Sequence, residues 1–322
     1  MRDYMCKLRA ARVRDVPLRV WWESTRPRMF PVWLSSGIIP AAVAWRDGIF
    51  EPITFAFETL LCYLLLSLSC WADEYGDLEK GVDNEYRLGP VRPLQRGELS
   101  PDAMLKGCAI LAMVICLTGL LLILWSNMRL GFSMSCVILL LAVGVCCIVV
   151  AFCYTMGKRP YGYRGWGDFA SYVFFGPVAG VGGYWLYAST MNWLVLLPMS
   201  AAGILLVQTI NLQNIRDLDN DAACGKRTTA VLLGKNRAIA YHYALTVSAC
   251  MCYLLFPVLS GMTDPVNYLF VIAFFLLIKH CVDFRTIVHS QGSASRLDVL
   301  MWPLTRAMGI CAVAFCICIL FS

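Results

Sequence analysis

Nine stretches of this chain are apolar for long enough to cross a bilayer, and that bounds the fold more tightly than any motif. A hydrocarbon core about 30 Å thick takes roughly 17–25 apolar residues in a helix. Runs of that kind fall at 29–45, 53–72, 107–125, 130–154, 169–188, 191–210, 238–258, 266–282 and 304–321. In lipid every backbone polar group must find its partner inside the protein, so runs like these fold as helices. The sequence therefore predicts an all-α polytopic membrane protein of about nine transmembrane helices. Composition agrees: 59% of residues are hydrophobic and 15% charged, where a soluble domain carries about a quarter charged residues.

The connections alternate in character. After the first, third, fifth and seventh runs they are short, and after the second, fourth, sixth and eighth they are long and charged. Every Lys and Arg except Arg46 and Arg129 lies in the N-terminal stretch or in the ends and loops around the long connections. Placed this way, the net charge of +6 encodes membrane orientation and implies no nucleic-acid partner. The excess of cations marks the cytoplasmic side. Residues 1–28 then read as a basic cytoplasmic segment ahead of a transmembrane domain over 29–322, with the C-terminus outside. This segment lacks the short apolar core and small-residue cleavage site of a signal peptide. It suits a surface helix on anionic lipid, with Trp21 and Trp22 at headgroup depth. The 16 cysteines lie mostly in apolar runs as small packing residues, and none forms the CxxC pairs of a zinc site.

Chemistry concentrates at the ends of the second and sixth runs. Asp73, Glu74, Asp77, Glu79 and Asp83 close the second; Asp217, Asp219 and Asp221, then Lys226 and Arg227, close the sixth. Ionisable groups beside a span are costly and suggest a functional site. Asp73 and Asp77 are spaced i, i+4, as are Asp217 and Asp221, and the same offset separates the two pairs. Each pair precedes two further runs. This pattern predicts two pseudo-repeated four-helix units plus a ninth helix around a central cavity, with the site at the repeat interface. Side chains at i and i+4 share a helix face, so each pair can point at one ion. Magnesium (Mg2+) takes octahedral oxygen ligands and is usually held by a few carboxylates plus substrate phosphates.

Cations follow turn residues: Lys158 and Arg159 after Gly157, Lys226 and Arg227 after Gly225, and Arg92 and Arg96 among Gly89, Pro90, Pro93 and Gly97. Arg forks match phosphate oxygens, and Lys acts as a point charge. Tyr154 shares a helix face with Lys158 and could stabilise a developing carbocation through its ring. Tyr161, Tyr163, Trp166 and Tyr172 read as an interfacial belt. His242, His280 and His289 make no ligand set. A transporter would need ionisable groups near the middle of spans, and the span centres are nearly uncharged. The residues thus describe two acidic segments facing each other across one metal–diphosphate site.

Longer patterns add a resemblance. Asn214-Ile215-Arg216-Asp217, Asp221 and Gly225-Lys226-Arg227-Thr228 resemble the second signature of the UbiA-type intramembrane prenyltransferases, and Tyr75-Gly76-Asp77, Lys80-Gly81 and Asp83 resemble the first. Arg87, Gly89-Pro90, Arg92, Gln95 and Gly97, the segment Tyr154 to Tyr163, and Arg26-Pro27-Arg28 look like the branch that prenylates 1,4-dihydroxy-2-naphthoate. The first signature usually opens Asn-Asp, where this chain has Asp73-Glu74. The resemblance implies Mg2+-dependent transfer from a polyprenyl diphosphate to 1,4-dihydroxy-2-naphthoate, with loss of CO2 and diphosphate, giving demethylmenaquinone. A different aromatic acceptor on the same scaffold, such as 4-hydroxybenzoate or a chlorophyll-type precursor, is the alternative. It further implies metal ligands among Asp73, Asp77, Asp83, Asp217 and Asp221. Asp77, Asp217, Asp221, Lys158 and Tyr154 would be catalytic, and Arg92, Arg159, Asn214, Arg216, Lys226 and Arg227 would bind diphosphate or acceptor. The setting implied is the bilayer of a bacterial inner (cytoplasmic) membrane.

Overall fold

The computed structural model describes residues 16–290 and 292–321. Among them all regular structure is helical, except for one isolated bridge between Arg164 and Arg227. A short helix α1 (Leu18–Ser24) leads into α2 (Phe30–Arg46), α3 (Pro52–Glu79), α4 (Pro101–Leu130) and α5 (Met134–Cys153). Then come α6 (Gly167–Val173), α7 (Ala179–Trp185), α8 (Leu196–Arg216), α9 (Leu218–Ala223), α10 (Thr229–Leu233) and α11 (Lys235–Leu259). The chain finishes with α12 (Phe274–Val288) and α13 (Met301–Leu320).

All nine apolar runs are helical, but they are not equivalent. Seven described helices are long and apolar enough to cross a membrane. Of the other two, α2 has 17 residues, and the fifth run is split into α6 and α7 by a π-helical turn, Phe174–Val178. Pro177 sits in that turn and cannot donate the usual backbone hydrogen bond. Phe174 and Phe175 of this turn line the main cavity.

Local sequence fixes the helix starts. Glu51 accepts the N–H groups of Ile53 and Thr54 ahead of α3, with Pro52 in the first turn. Ser100 accepts the N–H of Ala103 ahead of α4, again with proline first. A side-chain acceptor before a first-turn proline satisfies donors that the helix leaves free. At 28 residues, α3 is about 42 Å long at 1.5 Å per residue, well beyond a 30 Å hydrocarbon core. Its last two turns, which carry Asp73 and Asp77, therefore stand at the membrane boundary.

Contacts between ends give an up-and-down bundle. At one end Trp125 donates to Glu51 at 2.9 Å, Tyr184 to Asp47 at 2.6 Å and Arg46 to the Ser260 carbonyl at 3.4 Å. At the other end Lys226 meets Asp77 at 2.9 Å and Arg216 meets Asp298 at 2.5 Å. The four long connections and the start of α2 all lie at this second end. Outward faces are apolar: Leu117, Leu121 and Leu124 on α4, and Ile138, Val145 and Val149 on α5, are exposed. So much exposed hydrocarbon suits a lipid surround.

Residues 1–15 of the basic segment lie outside the described residues. The rest of it is packed: Val16 and Val20 are buried in a cluster with Leu68, Leu94 and Met104. Trp21 packs against Trp71 with ring centres 4.7 Å apart and planes tilted by 49° and fills the notch left by Gly107, whereas Trp22 is exposed.

Where α3 meets the end of α5, the Thr155 hydroxyl donates to the Ala72 carbonyl at 2.9 Å, and a Cβ at Gly76 would lie 2.7 Å from the Thr155 backbone carbon. Gly76→Val should lower stability by about 1–3 kcal/mol through overpacking, and Thr155→Ala by about 1 kcal/mol through the lost hydrogen bond. Thermal unfolding in detergent checks the order, which equal Tm values would contradict.

Candidate active site

The first acidic segment is organised by one guanidinium. Asp73 and Asp77 are buried on the last turns of α3. Beyond it the N–H groups of Val82 and Asp83 return to the Asp77 carbonyl at 2.9 and 3.3 Å, curling Asp83 back beside the helix end. Arg92 then reaches Asp83 at 3.0 Å, Asp73 at 3.3 Å and Asp77 at 3.5 Å. Arg26 also pairs with Asp73. Arg26 is the one described non-glycine residue with positive φ, at 55°, a conformation that L residues adopt at a cost of about 1–3 kcal/mol. It turns the chain from α1 into α2 and delivers the side chain to the acids. Glu74 has a separate job: its carboxylate accepts the Leu94 N–H at 2.7 Å and holds the helical turn Pro93–Arg96.

The second segment departs from the expected single helix face. Helix α8 stops at Arg216, Asp217 links it to α9, and Asp221 sits in α9. The Asp221 N–H still bonds to the Asp217 carbonyl at 2.9 Å, so the i, i+4 relation survives the break. Arg216 donates to both Asp217 oxygens, at 3.1 and 2.6 Å, and the Leu88 N–H adds a third donor at 3.2 Å. After α9, Gly225 takes φ 73°, the left-handed turn that glycine allows. That turn folds Lys226 back, and its ammonium lies 2.9 Å from each oxygen of Asp77.

Asp77 is therefore the meeting point of the two segments. Tyr163 donates its hydroxyl to Asp77 at 2.8 Å, and the Lys226 ammonium stands 5.2 Å from the centre of the Tyr163 ring. Asn220 adds a bond to the Val82 carbonyl at 2.9 Å. Burial pushes up the Asp83 carboxyl and opposes charge on Lys226, but Asp77 and Asp73 outweigh it and hold the Lys226 pKa above its usual value. Asp217 is lowered: burial opposes ionisation, and Arg216 overcomes it. Asp221 lacks such a partner; burial first, then the nearby Asp217 and Asp77, raise it to about 7 against the pull of Lys226.

Most of these groups form one end of a cavity of about 1320 Å³, the open space at its mouth included. Asp73, Asp77, Asp217, Asp221, Arg87, Arg92, Lys226 and Asn214 line its polar end, and Tyr154 and Tyr161 stand beside them. Leu65, Leu66, Phe174, Phe175, Leu206 and Ile210 line the rest. A second cavity opens alongside, sharing Arg26, Arg87 and Arg92 and bounded by Arg216, Pro90, Val91 and Met301.

The donor set suits a hard divalent cation, because four carboxylates face one cavity and oxygen ligands are what such ions take. Among the described residues, however, no three His, Cys, Asp or Glu stand close enough to make a ready cage. Their charges are held instead by Arg26, Arg87, Arg92, Arg216 and Lys226. Asp83 Oδ1 is buried without a well-formed hydrogen bond, but Arg87 Nε lies 3.2 Å from it as an ion pair.

Several expected ligands lie elsewhere. Lys158, Arg159 and Arg227 are exposed and do not line the cavity. Gly157, at φ 86°, turns the first two outward, and Arg227 is tied by its backbone N–H to the Tyr163 carbonyl at 3.2 Å. Arg96 pairs with Glu23 and Glu98 at 2.8 Å, bracing α1. Arg216 serves through Asp217 and Asp298. Arg26 and Arg87 were visible only as parts of motifs. In the sequence Tyr163 reads as one of the interfacial aromatics, and Asp298, far along the chain, carries no signal.

The model of the family described as the UbiA prenyltransferase family matches residues 34–304. The 1,4-dihydroxy-2-naphthoate octaprenyltransferase of Haemophilus influenzae is 36% identical over 94% of this chain and 100% of its own length. The Escherichia coli protein of the same name is 36% identical over 81% of this chain and 83% of its own. A solved UbiA homolog from Archaeoglobus fulgidus, bound to DMAPP and Mg2+, superposes with a TM-score of 0.55 at 13% identity, covering 92% of this chain and 99% of that one.

Breaking the buried Lys226–Asp77 pair from one side leaves an uncompensated charge. Asp77→Ala should cost about 3–5 kcal/mol, and the double variant Asp77→Asn with Lys226→Met should recover part of it. Unfolding midpoints of the wild type and the two variants test this, and a double variant no more stable than Asp77→Ala would contradict it.

Proposed function

Because the chain belongs to the UbiA prenyltransferase family, we propose that it transfers a polyprenyl group from an allylic polyprenyl diphosphate to 1,4-dihydroxy-2-naphthoate, releasing diphosphate and CO2 and giving demethylmenaquinol, the reduced form of demethylmenaquinone. The observation that carries this reading is the convergence of both acidic segments on one cavity that is charged at one end and apolar along the rest. The donor fits that polarity, its diphosphate among the cations and its tail against Leu65, Phe174 and Ile210. The naphthoate acceptor rests on the two bacterial relatives named above.

Each group then has a task. Lys226, Arg87 and Arg92 face the polar end and would bind diphosphate oxygens, exchanging their present carboxylate partners for phosphate. Asp77, Asp217 and Asp221, with Asp73, would hold Mg2+, as the Archaeoglobus homolog's bound DMAPP and Mg2+ suggest. Bound there, the ion supplies positive charge against the leaving group. Cations aimed at the place where negative charge develops are worth most in a site shielded from water. As the allylic C–O bond breaks, its electron pair leaves with the diphosphate. The Tyr154 ring, at the boundary between the polar and apolar parts, would face the allylic cation. A ring carbon of the acceptor bonds to that cation, and loss of the carboxylate as CO2 restores the aromatic ring. The second cavity, with Arg26, Arg87 and Arg216 on its wall, suits entry of an anionic acceptor. The cation-rich end of the bundle would face the cytoplasm of a bacterial inner membrane.

Membranes given dihydroxynaphthoate, a polyprenyl diphosphate and Mg2+ should form demethylmenaquinol, recovered as demethylmenaquinone after oxidation in air. Asp77→Ala or Asp217→Ala should lower the rate by about 100-fold or more, the scale of lost electrostatic stabilisation. Wild-type rates in both variants would remove these residues from the mechanism. With 4-hydroxybenzoate as competitor, that ring should stay unprenylated; its prenylation would select the alternative acceptor.

A further inference from the structure

Tyr163 lines neither cavity, yet it touches the residue on which both acidic segments meet. It ends the short turn Tyr161–Tyr163 between α5 and α6. Gly162 lets that turn lie against the end of α5: its N–H bonds to the Tyr154 carbonyl at 3.0 Å, and a Cβ there would lie 2.7 Å from the same oxygen. The Tyr163 carbonyl accepts the Arg227 N–H at 3.2 Å, and the next residue, Arg164, bridges to Arg227. Tyr163 is thus tied by its backbone to the loop that carries Lys226, and by its hydroxyl to α3.

Among the described residues three side chains donate to the Asp77 carboxylate. Lys226 reaches both oxygens at 2.9 Å, Arg92 reaches Oδ2 at 3.5 Å and Tyr163 reaches Oδ1 at 2.8 Å. Lys226 and Arg92 line the main cavity, so phosphate oxygens there can draw both away. Tyr163 stands outside that cavity, and as a neutral phenol it is not drawn toward an anion. A carboxylate offers about four lone-pair sites. The phenol occupies one, leaves the others free for a divalent cation, and fixes the direction in which they point.

We propose that Tyr163 is the positioning residue of Asp77: its hydroxyl holds the carboxylate in place after Lys226 and Arg92 turn to phosphate, and so sets the affinity of the site for a divalent cation. This rests on the prenyl-transfer reading above. A hydrogen-bond partner standing behind a metal ligand is worth about 10–100-fold in metal affinity or activity.

The test uses the full-length protein in lipid nanodiscs with inorganic diphosphate, and reads free Mn2+ by electron paramagnetic resonance. Mn2+ takes octahedral oxygen sites as Mg2+ does. Tyr163→Phe keeps the ring that stands 5.2 Å from the Lys226 ammonium and removes only the hydroxyl. It should raise the Mn2+ Kd about tenfold or more. Diphosphate binding without metal, which draws on the cations alone, should stay within about twofold of wild type. In prenyl transfer the Mg2+ concentration for half-maximal rate should rise about tenfold, with kcat at saturating Mg2+ within about threefold of wild type. In an Asp77→Asn background the same substitution should change Mn2+ affinity by less than about twofold, because the hydroxyl acts through Asp77. Tyr163→Leu should repeat the loss of Mn2+ affinity. An unchanged Mn2+ Kd in both single variants, or equal weakening of Mn2+ binding and metal-free diphosphate binding, overturns the proposal. Unaltered protein that binds Mn2+ and diphosphate but does not prenylate dihydroxynaphthoate would instead count against the proposed function alone.

Discussion

The structure depends on the ion pair between Asp77 and Lys226. It joins the end of the second apolar run to the loop after the sixth, and both partners are buried at the edge of the bundle. Two charges taken out of water at that depth persist only with close geometry and further hydrogen bonds. Tyr163 and Arg92 provide those. The same requirement spreads outward. Arg92 needs Asp83 and Asp73, Asp73 brings in Arg26, and Asp217 needs Arg216, which in turn takes Asp298. Residues from five separate parts of the chain are bound into one network by the cost of leaving any charge alone.

That network has a property useful for binding diphosphate. Its cations are satisfied by carboxylates rather than locked into hydrophobic packing. An incoming dianion can take over Arg and Lys contacts while freeing carboxylate oxygens for a divalent cation. The carboxyl group with the weakest cationic support, Asp221, has its pKa raised to about 7 by burial. Apolar walls begin directly beside this charged end, so a molecule with a charged head and a hydrocarbon tail matches the cavity over its length.

Most of the architecture was legible because lipid forces it. Runs of apolar residues had to be helices, and the alternation of short and long connections placed all four long charged loops at one end. What periodicity could not show was the break of the fifth run at Pro177, where a π turn replaces a straight span. The two acidic segments were equally plain, since Asp77, Asp217 and Asp221 stand out against apolar neighbours. Choosing among cations was harder. Lys158 and Arg159 look as suitable as Lys226, yet only Gly225 turns its neighbour inward.

The central claim is that both acidic segments grip the same diphosphate. An experimental structure with a non-ionisable thiolodiphosphate donor analogue and Mg2+ tests it most directly. The account predicts one diphosphate in the cavity between Asp77 and the Asp217–Asp221 pair, with metal ligands from both segments and Lys226 moved onto phosphate. A diphosphate bound by one segment alone, with the Asp77–Lys226 pair intact, would contradict it.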